Sequence, residues 1–156
     1  MPETALIKHL IRLLPAAWLL ACGPALAADD ILVSKAWINE APPGMRMMAG
    51  YLEIANPAAQ DLNLTGATSP HFESIEFHLT ETRDGIASMR RQHAIVIPAG
   101  GVFSFTPGHY HLMLINNTRP LASGDKVPLT LIFDRGGPVT IEATVRRGDA
   151  GTHDHH

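Results

Sequence analysis

Between Ile31 and Val145 the apolar residues come in short alternating runs, and Gly, Pro, Asn or Asp breaks the pattern about every ten residues. Alternation of period two sends successive side chains to opposite faces of an extended strand. Residues 72–82 show it well: Ile75, Phe77 and Leu79 fall on one face, and Glu76, His78 and Thr80 on the other. Asp84-Gly85 then signals a tight hairpin, with a return strand over 86–92. Val127, Leu129, Leu131 and Phe133 alternate, Arg135-Gly136-Gly137-Pro138 turns the chain, and Val139, Ile141, Ala143 and Val145 alternate again. Further extended runs cover 31–41, 49–55, 60–67, 94–97, 102–106 and 109–115. The pattern predicts an all-β fold, an antiparallel β-sandwich of about eight or nine strands.

The start of the chain reads as an address. Lys8, His9 and Arg12 precede an apolar run from Leu13 to Ala21, and Ala25-Leu26-Ala27 follows with the small-x-small pattern of a signal-peptidase site. Residues 1–27 are therefore expected to be a secretory signal peptide, its apolar run being too short for a comfortable membrane span. The alternative is a lipoprotein acylated at Cys22 after Leu19-Leu20-Ala21. Residues 28–147 form one expected domain, and 148–156 a polar, flexible tail. The expected location is the periplasm.

Composition then narrows the function. Twelve Lys and Arg against fifteen Asp and Glu give a net charge of −3, with no cationic excess to neutralise the phosphates of a nucleic acid. The one cysteine, Cys22, lies in the expected leader. The exported chain would then have no disulfide, no thiolate for a blue-copper centre and no multi-cysteine metal site. No Gly-x-Ser-x-Gly elbow, His-Glu-x-x-His pair or phosphate loop appears, and an enzyme is not expected. A metal-free interaction sandwich remains compatible with the strands alone.

Soft ligands remain. His78 sits on the polar face of its strand, Met89 returns across the hairpin, and His111 and Met113 leave one face of a third strand while Leu112 and Leu114 leave the other. Thioethers suit Cu(I) and serve Zn²⁺, Mg²⁺ or Ca²⁺ poorly, and imidazole suits copper in either state. Two His and two Met add no ligand charge, so such a site favours the reduced ion. The competing assignment is a solvated histidine and a methionine filling core space.

These residues also carry a resemblance. Ten residues separate His78 from Met89, twenty-one separate Met89 from His111, and one separates His111 from Met113. The chain in this respect resembles the periplasmic PCu(A)C copper chaperones, as do Ala36-Trp37, Ala49-Gly50-Tyr51, Ile97-Pro98-Ala99-Gly100-Gly101 and Pro107-Gly108-His109-Tyr110. The resemblance implies a cupredoxin-like Greek-key sandwich and one Cu(I) held by His78, Met89, His111 and Met113. It also implies delivery toward the dinuclear CuA centre of cytochrome c oxidase, directly or through another periplasmic copper carrier. Copper scavenging or resistance is the alternative role, and a monomer is expected.

Three features fall outside the motif. Met45, Met47 and Met48 cluster before a strand; Met48 is assigned to packing and the others to capping the sandwich edge, with a copper-collecting patch as the alternative. His153, His155 and His156 are either a second, flexible site for Cu(II) or a solvated tail. His71, His93 and His109 are assigned surface or structural roles, with assistance from outside the ligand set as the alternative for His109, two residues before His111.

Overall fold

Asp84 and Gly85 both take positive φ, 52° and 75°, and this pair of left-handed residues joins two strands as the sequence predicts. The computed structural model describes residues 30–148, so the expected leader and the His-rich tail lie outside the described residues. Ten strands follow in order: β1 (Leu32–Asn39), β2 (Met47–Ala55), β3 (Leu62–Thr68), β4 (Phe72–Arg83), β5 (Ile86–Gln92), β6 (Ile95–Ile97), β7 (Val102–Phe105), β8 (Tyr110–Asn117), β9 (Lys126–Phe133) and β10 (Val139–Arg146). There is no helix among the described residues.

Hydrogen bonding runs β5-β4-β8-β2-β1-β10-β9-β3-β6, with β7 on β2. The path curls around one core in which Ile38, Ile54, Leu64, Leu114, Leu131 and Val145 are fully buried. The all-β cupredoxin-like class stands, with two corrections of detail. There are ten strands rather than eight or nine, and the pairing is not wholly antiparallel, because β1 and β10 run parallel with Trp37 opposite Thr144 and Ile38 opposite Val145. Alternation carries no sign of direction, and a chain's first and last strands have no connecting turn to reveal how they lie.

Strand β2 organises the region of interest. Met47 to Gly50 pair with β8, and Leu52 to Ala55 pair with β7. Gly50 sits at this switch under tight packing: a Cβ there would come within 2.9 Å of Leu114 Cδ1 and 3.5 Å of Leu112 Cβ. Beyond β2, the buried Asn56 donates from Nδ2 to the carbonyls of Gln60, Ile97 and Pro98 and accepts from the Ala58 N–H. One side chain thereby satisfies several backbone groups of two loops that a core otherwise leaves bare.

Candidate metal centre

Phe77, Leu79, Leu112 and Leu114 turn into the core, so the alternate residues of β4 and β8 share the outer face. The register places His78 opposite His111 and Glu76 opposite Met113. On the far side of β4, Arg91 lies opposite His78 and Met89 opposite Thr80. The two imidazole centroids are 5.8 Å apart. With metal–nitrogen bonds of about 2 Å, two rings sharing one ion have centroids roughly 5–6 Å apart.

Hydrogen bonds fix which nitrogen of each ring carries a lone pair. His78 Nε2 lies 2.8 Å from Glu76 Oε2, and a carboxylate only accepts, so Nε2 is the donor. His78 Nδ1 is left buried with no protein partner. His111 Nδ1 lies 3.2 Å from the His109 carbonyl, which also only accepts, so the neutral ring keeps its lone pair on Nε2. His111 is only 7% exposed although it faces away from the core. An orphaned lone pair beside a second free imidazole nitrogen is a donor set for a metal ion, and outer hydrogen bonds of this kind orient ligating imidazoles.

Glu76 is held in turn. Its Oε1 lies 3.0 Å from Arg91 Nη1. The hydrogen bond from His78, helped by the Arg91 charge, keeps the Glu76 carboxyl below the usual carboxylate range. The sequence reading gave Glu76 no role; the signal available was its spacing of two from His78, which puts both side chains on one face. The His109 backbone carbonyl accepts from His111 Nδ1, while the His109 ring is exposed and stands edge-on to Tyr110.

The structure brings His78, His111 and Met113 to adjacent positions and leaves Met89 apart. Met89 is 57% exposed on β5, which among the described residues pairs only with β4. At ordinary strand spacing and rise, two strands and four residues of offset separate Met89 from Met113 by roughly 16 Å. For all four residues to meet one ion, the β4–β5 hairpin has to curl over this face. Among the described residues there is no group of three or more His, Cys, Asp and Glu placed to hold a metal. A site here depends on its thioethers.

Met48 is buried, as expected for packing, and Met45 and Met47 are exposed at the start of β2. Trp37 and Tyr51 stack at 4.6 Å on β1 and β2, and burial pushes the Tyr51 phenol up.

A family described as "Putative lipoprotein LpqE-like" matches residues 31–145. The chain belongs to this LpqE-like family. It is 34% identical over 124 residues to "Putative lipoprotein Lxx21020" of Leifsonia xyli subsp. xyli, covering 79% of this chain and 74% of that one. Among solved structures, the LpqE-like chain is similar to the copper-bound PCuAC domain from PmoF2, with a TM-score of 0.66 and 26% identity over 76% of this chain and 93% of that one. It is also similar to the solution structure of CuI-DR1885 from Deinococcus radiodurans, with a TM-score of 0.60 and 29% identity over 83% of this chain and 85% of that one. The LpqE-like chain is thus a member of the PCu(A)C group that its motif spacing resembles.

Proposed function

We propose that this LpqE-like protein is an exported copper carrier that binds one Cu(I) as cargo through His78, His111 and Met113, with Met89 closing the site from β5. The observation that supports it most is the opposed pair His78 and His111, each with one nitrogen tied to an acceptor and the other left free, beside a thioether on the same face. The similarity to the copper-bound PmoF2 domain and to CuI-DR1885 supports the same reading. Neutral ligands leave the ion its single positive charge and favour Cu(I) over harder ions. Ligands at the sheet surface leave it open to capture by an acceptor.

Export is supported by the leader sequence and by the lipoprotein name of the Leifsonia relative. That name also favours acylation of Cys22 as a means of holding the carrier at a membrane surface. The acceptor assigned is the CuA centre of cytochrome c oxidase, or a carrier that feeds it.

The test is anaerobic titration of the exported protein with Cu(I) against a chromophoric chelator, followed by mixing the loaded protein with the copper subunit of the oxidase. One tight equivalent that passes to the subunit is expected. Tight binding unchanged in both His111→Ala and Met113→Leu would remove the site assignment. Binding without transfer would favour a scavenging role.

A further inference from the structure

The register of β2 against β8 puts another thioether on the outer face. Met47 lies opposite Ile115 and Ala49 opposite Met113. Directly opposed residues of an antiparallel pair share a face, so Met47 and Met113 are diagonal neighbours, about 7–8 Å apart and within reach of long side chains. Met48 and Leu114 point the other way and are buried, which fixes the parity. Ala49, opposite Met113 and two residues from Met47 on the same face, carries only a methyl group. Met47 is 48% exposed, and Met45, two residues earlier in the turn that follows Pro42, is 52% exposed.

A single exposed methionine is ordinary on a protein surface. Two on neighbouring strands, one of them adjacent to a histidine pair with unused nitrogens, form a soft-ligand arrangement. Met47, opposite Ile115, is four residues further along the sheet than His111, too far to join the imidazoles on one ion. It can share an ion with Met113 only.

We infer that Met47 and Met113 form a second, weaker Cu(I)-binding pair through which the ion reaches the His78–His111 site. This rests on the carrier reading above and adds a loading route to it. Two neutral thioethers hold a soft monovalent ion and offer little to Zn²⁺ or Ca²⁺. Having no proton to lose, they keep this selectivity across the physiological pH range. Met113 belongs to both sites, so the ion advances by exchanging Met47 for an imidazole nitrogen while one thioether stays attached. No electron moves, and copper remains Cu(I) throughout.

The experiment uses the exported protein labelled with ¹³C at its methionine methyl groups, titrated with Cu(I) without oxygen, in the wild type and in Met47→Leu. Leucine keeps the apolar bulk at an exposed strand position, and retained binding of the first equivalent reports an intact fold. The wild type is expected to shift the Met113 methyl during the first equivalent; in His78→Ala/His111→Ala, which leaves the thioether pair without the imidazole site, the Met47 and Met113 methyls are expected to shift together and at lower affinity. Met47→Leu is expected to keep first-equivalent affinity and to load several-fold more slowly in stopped flow from a chelated Cu(I) donor. A Met47 methyl that stays unmoved in His78→Ala/His111→Ala, or a Met47→Leu protein that loads at the wild-type rate, would overturn the pair while leaving the His78–His111 site standing. A wild type that binds no Cu(I) at all would overturn the carrier reading, and this inference with it.

Discussion

His78 and His111 face each other across β4 and β8 with their ring centroids 5.8 Å apart, and each ring has one nitrogen committed to an acceptor. The strands set the separation and the acceptors set the protonation. In the proposed site, removing either ring would remove one of the two imidazole ligands. His111→Ala is expected to lose stoichiometric Cu(I) binding in chelator competition, Met113→Leu to weaken it, and His71→Ala to bind as the wild type does.

Glu76 tests whether the protonation pattern matters. Glu76→Gln keeps the shape and can present an amide N–H to His78 Nε2, inviting the proton onto the nitrogen that copper needs. Loss of a carboxylate partner behind a ligating imidazole costs roughly 10–100-fold in metal affinity. The same competition assay is expected to show a fall in that range, with an unchanged melting temperature separating it from a folding defect.

Gly50 lies beneath the same face. A methyl group there meets Leu114 Cδ1 at 2.9 Å in a fully buried environment. Gly50→Ala is expected to destabilise by about 1–3 kcal/mol through overpacking, measured by urea denaturation. It should also disturb the Leu112 and Leu114 backbone that places His111 and Met113.

Asn56 carries a different load. Asn56→Ala takes this partner from the Ile97 carbonyl and the Ala58 N–H, while the Pro98 carbonyl keeps the Gly101 N–H. Unsatisfied buried groups give an expected loss of about 3 kcal/mol. The change lies just beyond the end of β2 and is expected to leave copper affinity of the folded protein intact.

Asp134 gives a pH dependence with a definite sign. Hydrogen bonds from the Asn63 side chain and backbone N–H hold its carboxyl below the usual range. A lowered folded-state pKa contributes stability that is fully present above the unfolded value of about 3.9 and is lost as pH falls through the lower folded value. Thermal melts of wild type and Asp134→Asn are expected to differ at neutral pH and to converge in strong acid. A gap that persists there would remove the carboxylate as its source.

Much of this architecture was legible because strand alternation and turn residues are local. Asp84-Gly85 announced its hairpin, and the parity of Phe77, Leu79, Leu112 and Leu114 placed His78, His111 and Met113 on the outer face before any coordinates. What was hidden depends on contacts between distant segments. The parallel pairing of β1 and β10 joins Trp37 to Thr144, and no local pattern encodes it. The distance of Met89 from Met113 depends on how far the hairpin curls, which spacing along the chain does not fix. Glu76 could be placed on the right face, but its bond to His78 and its tether to Arg91 required side-chain geometry.

Strand β5 ends the hydrogen-bonded path, held by β4 on one side only. Edge segments open at lower free energy than central strands. In the proposed carrier, with Met89 on that edge, fraying of the hairpin would withdraw one of the four ligands, so cargo retention would depend on the hairpin as well as on the ligand bonds. An acceptor that docks along β5 would therefore act on the clock of the molecule, and could shorten cargo retention without competing for the ion at all.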